Sequence, residues 1–205
     1  MSEAAAVPVT RLQPLPFEQW SDDARAQLPS YLRRPELFTG PDALPMPTVL
    51  GLLAHHLPIG DSWLEFNRVL ADETALDERL RELLVLRVAW RARATYEWYQ
   101  HVRIAHHAGI TTEQLHAIPD GADADVWTPL ERALLRAVDQ MVDAQGIDAE
   151  TWAELGRHLD DATLLEVLFV TGAYLCFAIV LNSIDLPADP PTEPIDAPDL
   201  PERGA

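Results

Sequence analysis

The stretch that decides the fold is LRELLVLRVAWRARATYEWYQHVRIAHHAGIT, residues 80–111. Apolar residues recur in it every three or four positions, which is the period of an amphipathic helix. Those residues are Leu80, Leu83, Leu84, Val88 and Trp90, followed by Trp98, Val102 and Ala105. Gly109 suits the residue that ends a helix. The stretch therefore predicts α-helix over most of its length.

Glu82 and His101 lie on this stretch, nineteen positions apart in the sequence. On one unbroken helix they would be separated by roughly 28 Å, at 1.5 Å per residue. They can share a site only if the helix breaks between Arg91 and Thr95, where Thr95 is a candidate N-cap. One continuous helix would exclude Glu82 from a site with His101.

Glu97 and His101 are four residues apart, so on a helix they share a face. A carboxylate beside an imidazole fixes the ring tautomer, and such a pair suits general acid/base chemistry. Tyr96 and Trp98 flank the pair and are candidates to contact a substrate with a hydroxyl and an aromatic ring. The alternative interpretation is a surface ion pair on an amphipathic helix.

The rest of the chain also favours an all-α fold. Helices are predicted over residues 21–28, 48–56, 61–70, 129–144, 148–158 and 162–183, with a short one after Thr111. Pro58 and Gly60 are expected to separate the second of these from the third. Asp161 is the expected N-cap of the last. Residues 1–186 are predicted to form one helical domain with an extended arm over 1–18.

The chain has 205 residues and a formal net charge of −18, with 33 Asp and Glu against 15 Lys and Arg. Such an acidic surface repels phosphates and anionic headgroups, so neither nucleic acid nor membrane is an expected partner. The single cysteine, Cys176, allows no disulfide or CxxC motif within the chain. No secretory signal is recognised at the N-terminus, and a cytoplasmic location is expected.

Two C-terminal segments have unusual composition. Residues 164–181 are apolar enough to resemble a membrane span, but Glu166 and the absence of basic flanking residues favour a buried core helix. Residues 187–205 are acidic and rich in proline. This tail is predicted to be disordered or loosely draped over the domain.

The motif Tyr-Glu-Trp-x-x-His at residues 96–101, followed by Ala-Gly-Ile-Thr at 108–111, resembles the core of the carboxymuconolactone decarboxylase / alkylhydroperoxidase D-like family. The resemblance extends over roughly residues 10–186. It implies a compact multi-helix bundle of the alkylhydroperoxidase D-like type. It also implies a homo-oligomer, a trimer or a multiple of one, or a dimer.

The alkylhydroperoxidase D-like branch of this family carries a glutamate, a Cys-x-x-Cys pair and a histidine at fixed spacing. That spacing falls on Glu82, Ala94, Glu97 and His101, so the glutamate and the histidine match and both thiols are missing. Neither Ala94 nor Glu97 replaces a nucleophilic thiolate. The resemblance therefore implies acid/base chemistry by residues such as Glu82 and His101, without the thiol pair that would supply redox chemistry.

Metal binding is not expected. The adjacent histidines His55–His56 and His106–His107 point about 100° apart on a helix and are poor chelators, and a third and fourth ligand beside Glu97 and His101 are not evident. Four arginines stand out in this acidic chain, namely Arg87, Arg91, Arg93 and Arg103. Most should be solvated or paired with acids, and Arg91 is the candidate to receive a substrate carboxylate.

The resemblance implies a decarboxylase-like lyase that needs no cofactor and acts on a small carboxylated lactone or related organic acid. His101 would donate a proton or act as electrophile, Glu97 would orient it, and Glu82 would complete the proton relay. Two alternatives remain. One is a peroxiredoxin-type antioxidant enzyme, which the missing thiols disfavour, and the other is a non-catalytic binding or assembly protein of the same fold.

Overall fold

The computed structural model describes residues 10–38, 43–190 and 194–202. Within these ranges the chain is helical and contains no β-strand, which confirms the all-α prediction. The helices are α1 (Asp22–Gln27), α2 (Thr48–Leu53), α3 (Leu57–Asp72), α4 (Glu78–Ala92), α5 (Thr95–His107), α6 (Thr112–Ala117), α7 (Pro129–Ala144), α8 (Ala149–Leu155) and α9 (Asp161–Ser183). Residues 1–9 of the predicted N-terminal arm lie outside the described residues.

The described residues form two compact units, one within residues 11–73 and one from residue 74 onward together with Thr10. In the first unit, Trp20, Ala24, Leu28 and Leu50 form a small apolar core. The two predicted helices are separate, but the break lies at His56, and Pro58 and Gly60 lie inside the first turn of α3, which begins at Leu57 and not at residue 61. Proline is tolerated there since the first amides of a helix have no intrahelical acceptor.

In the second unit α4 is the central helix. It packs against α5, α7 and α9, and its residues 83–86 are fully buried. Residues 81–89 of α4 are all buried, with the charged Arg81, Glu82 and Arg87 among them, so its neighbours cover it on several sides. The functional candidates on α4 and α5 are therefore held by the most enclosed part of the molecule.

Side-chain caps fix where the surrounding helices begin. The hydroxyl of Thr111 caps α6 and that of Thr128 caps α7, each with a reciprocal capping box. Asp160, and not Asp161, caps α9, because its carboxylate accepts from the amide of Thr163. The predicted N-cap of the last helix was therefore wrong by one residue.

Helix α9 packs one side against α4. By length and hydropathy alone it is long and apolar enough to cross a bilayer, a property that core helices of water-soluble proteins share. Its other side leaves Leu165, Phe169 and Ile179 more than half exposed. The described part of the following tail has no regular secondary structure, and its Ile195, Ala197 and Leu200 pack on the core of this unit.

Candidate active site

The helix predicted to break between Arg91 and Thr95 does break there, and the candidate site lies beside the junction. Helix α4 ends at Ala92, and Arg93 takes a left-handed conformation with φ of 50°. The amide of Arg93 donates to the Trp90 carbonyl, and the amide of Ala94 donates to the Ala89 carbonyl. These two bonds form a Schellman motif, in which glycine is the usual left-handed residue. The arginine at that position is why the sequence signal for the break was weak.

The break brings His101 of α5 to Glu82 of α4. His101 Nδ1 lies 2.7 Å from Glu82 Oε2, and the other oxygen of Glu82 is 3.6 Å from Arg81 Nε. A carboxylate can only accept, so Nδ1 must carry the proton and donate it in this hydrogen bond. The bond therefore fixes the ring and directs Nε2 away from Glu82.

Glu82, and not Glu97, is the carboxylate that orients His101. The sequence argument chose Glu97 because it lies four residues before His101 on one helix. The helix break instead delivers a carboxylate from the neighbouring helix within hydrogen-bond distance. His101 keeps 15% of its side-chain surface exposed, and its ring meets the ring of Tyr174 on α9 edge-on, 5.1 Å away. Sequence reasoning did not identify Tyr174.

Glu97 lies in the first turn of α5 and is 2% exposed. Neither of its carboxyl oxygens has a hydrogen-bond partner within the described part of the chain. Burial raises the pKa of this carboxyl well above its ordinary value. A helix N-terminus stabilises an anion by about 0.3–1 kcal/mol, whereas burying an unpaired charge costs several kcal/mol. Desolvation therefore dominates and favours the un-ionised acid.

The predicted substrate contacts Tyr96 and Trp98 are both occupied by the C-terminal tail. The Tyr96 hydroxyl donates to Asp189, 2.7 Å away, and the Trp98 indole nitrogen donates to the Pro198 carbonyl at 3.2 Å. Trp98 is fully buried and belongs to the core of the second unit. Nothing in the sequence pattern indicated that the tail would supply these acceptors.

Arg91, the predicted carboxylate anchor, lies in a cluster of ion pairs. Its guanidinium contacts Asp139 at 2.5 Å and Asp143 at 2.7 Å, and Arg87 binds the same Asp139. Two acidic partners neutralise Arg91, which favours a structural role over capture of a substrate anion. As for metals, the described residues contain no group of three or more His, Cys, Asp or Glu side chains that could hold an ion.

Comparison with known proteins shows what part of this chain resembles. Residues 58–140 match the sequence profile of the carboxymuconolactone decarboxylase family. Comparison with curated proteins finds no match.

Solved structures share the fold. An alkylhydroperoxidase D core, the uncharacterised peroxidase-related protein of Ralstonia eutropha JMP134, has a TM-score of 0.72 and 17% identity, covering 88% of this chain and 93% of that one. The uncharacterised peroxidase-related protein of Silicibacter sp. TM1040 has a TM-score of 0.72 and 15% identity, covering 90% and 94%. A cysteine-to-alanine variant of the debrominase Bmp8, in complex with 2,3,4-tribromopyrrole, has a TM-score of 0.66 and 16% identity, covering 89% and 92%. At such identities the likeness is one of fold alone.

Proposed function

Because its residues 58–140 belong to the carboxymuconolactone decarboxylase family, we propose that this chain is a cofactor-independent acid/base enzyme for a small carboxylated lactone or a related organic acid. The observation that carries the proposal is the 2.7 Å hydrogen bond between His101 and Glu82. Glu97 is buried and has no hydrogen-bond partner among the described residues, which argues against the alternative of a surface ion pair between Glu97 and His101.

The proposed reaction is decarboxylation. The bond between the substrate carbon and its carboxylate breaks, carbon dioxide leaves, and the electron pair stays on the substrate as a dienolate. As an imidazolium, His101 donates Nδ1–H to Glu82 and Nε2–H to the substrate, where it stabilises the developing oxyanion or supplies the proton. Glu82 holds the ring in place and shares its charge.

Release of carbon dioxide from carboxymuconolactone and a panel of other small carboxylated lactones tests this proposal. Product analysis in D₂O should show one deuteron on a carbon of the former dienolate, either the carbon that lost the carboxylate or the carbon next to the lactone carbonyl. If the folded protein releases no carbon dioxide from any member of the panel, the decarboxylase proposal fails. A non-catalytic binding protein of the same fold would then be the better interpretation.

We expect no dithiol-dependent hydroperoxide turnover. Ala94 and Glu97 occupy the positions of the family's two thiols, and Cys176 lies on α9 as an exposed cysteine without a partner thiol in the chain. The measurement is consumption of an organic hydroperoxide in the presence of a dithiol reductant, with Cys176→Ser as the control variant. Robust turnover that disappears in Cys176→Ser would contradict the expectation.

We further propose that the chain is a homo-oligomer that buries the exposed side of α9. Leu165, Phe169, Gly172, Cys176 and Ile179 alternate at spacings of four and three, as in a helix that pairs with another helix. None of these side chains carries a formal charge, and a Cβ at Gly172 would meet no atom within 4 Å. On a chain of net charge −18, two copies can approach along this stripe without bringing like charges together.

Light scattering should therefore give a multiple of the 22.8 kDa chain mass at micromolar concentration. Phe169→Glu should shift the protein toward monomer, because it places a charge on a buried interface. Leu12→Glu, at another exposed leucine, is the matched control and should leave the mass unchanged. A monomeric wild-type protein would rule out the assembly.

A further inference from the structure

Glu97 has no role in the mechanism proposed above, although it is the most isolated carboxyl group near His101. It lies one helical turn before His101 on α5, at the position where the alkylhydroperoxidase D-like branch has its second thiol. Both oxygens are buried and without a hydrogen-bond partner among the described residues. A buried carboxyl without a hydrogen-bond partner destabilises the folded protein. A ligand or reacting group that bonds to this carboxyl would offset that loss of stability.

The charged groups around this junction do not neutralise a carboxylate at Glu97. On α4, Arg81 lies 3.6 Å from Glu82 and Glu82 is bonded to His101. On α9, Tyr174 contacts the His101 ring. The tail carboxylate of Asp189 is bonded to Tyr96 and Gln100, on either side of Glu97 in the sequence. With no counter-charge in contact, burial alone raises the pKa of Glu97, and its un-ionised form retains a proton to give.

We propose that Glu97 is the proton donor of the site and that the Glu82–His101 pair is its electrophilic and relay partner. This inference rests on the proposed decarboxylation and assigns proton donation and the electrophilic role to different residues. A buried acid does not repel an anionic substrate, whereas a carboxylate at the same place would. Two titratable groups in different environments can thus serve as separate acid and base within one site.

The step balances as follows. After the carboxylate has left as carbon dioxide, a carbon of the dienolate takes the Glu97 proton, so a C–H bond forms and the Oε–H bond breaks. Glu97 is left as a carboxylate. Its proton is restored from water by way of His101, which is partly exposed while Glu97 is not. The net change is uptake of one proton for each carbon dioxide released.

The first measurement needs no substrate. The infrared spectrum of the wild-type protein at pH 7 should contain the carbonyl band of an un-ionised carboxylic acid. That band should vanish in Glu97→Gln and persist in Glu82→Gln, the matched control.

The pH dependence of stability gives a second readout. Because the pKa of Glu97 is higher in the folded than in the unfolded chain, the folded state keeps a proton that the unfolded state loses above about pH 4.5. Wild-type stability should therefore fall relative to Glu97→Gln as the pH rises above that value.

The second measurement uses carboxymuconolactone. Glu97→Gln preserves shape but has no acidic proton, so kcat should fall by about 100-fold or more, while its melting temperature at pH 6 should be no lower than that of the wild type. Glu97→Asp should recover part of the rate. Absence of the infrared band, or a wild-type rate in Glu97→Gln, would overturn the donor role. An active Glu97→Gln beside an inactive His101 variant would leave the decarboxylation standing. If the wild-type protein releases no carbon dioxide from this lactone, the donor role fails together with the proposed decarboxylation.

Discussion

His101→Asn is expected to lower kcat/KM for the true substrate by about 10²–10⁴, the range that a positioned acid/base group contributes. The amide of asparagine can still donate a hydrogen bond toward Glu82, but it cannot transfer a proton. Helical circular dichroism should therefore be retained while turnover is lost. The measurement is steady-state kinetics on carboxymuconolactone, with His106→Asn, an exposed position on the same helix, as the matched control.

Asparagine is a sharper substitution than alanine at this position. Glu82 is buried, and alanine would leave its carboxylate facing an unfilled space, with Arg81 Nε 3.6 Å from its other oxygen. His101→Ala should thus lose stability as well as activity, since an unpaired buried charge is costly. Full activity in His101→Asn would end the mechanism, and unfolding of that variant would show that the histidine serves the fold.

Arg87→Ala is expected to destabilise the protein by about 3 kcal/mol, near the lower end of the 3–5 kcal/mol measured when a buried ion pair loses one partner. The guanidinium binds both oxygens of Asp139, at 2.8 and 2.9 Å. It also donates to the carbonyls of Ile118 and Pro119. A Cβ at Gly121 would lie 2.4 Å from Arg87 Nη2, so the adjoining turn is shaped around this side chain.

For a chain of this size, a loss of that magnitude corresponds to a fall in melting temperature of roughly 6–12 °C. Arg91→Ala is the matched control, because it removes a more exposed partner of the same Asp139. It should cost about 1 kcal/mol or less. Chemical denaturation of both variants measures the difference. Equal losses in the two would contradict the view that burial of Arg87 sets the cost.

The helices could be predicted because their periodicity and caps are local. Ser21 and Thr111 accept from amides three residues ahead, which any short window of sequence reveals. Pro58 and Gly60 misplaced the start of α3, because a proline is read as a helix stop when its position relative to the helix start is unknown. In the structure His56 is the N-cap of α3 and Pro58 lies in its first turn.

The site could be predicted in part. The spacing from Glu82 to His101 pointed to a shared site, and the break that such a site requires is present. The identity of the carboxylate that orients His101 was missed, because helical spacing says which residues share a face and not what a second helix brings to it. The acceptors for Tyr96 and Trp98 come from Asp189 and Pro198, about 90 and 100 positions away. No local pattern encodes such contacts.

The left-handed turn at Arg93 sets a limit on insertions and deletions. A residue added to or removed from this turn would change the direction in which α5 leaves α4, because the left-handed residue and the two hydrogen bonds of the Schellman motif fix that direction. One added or missing residue would therefore swing His101 out of reach of Glu82, however well both side chains were retained. Relatives that use this pair must keep its nineteen-residue separation.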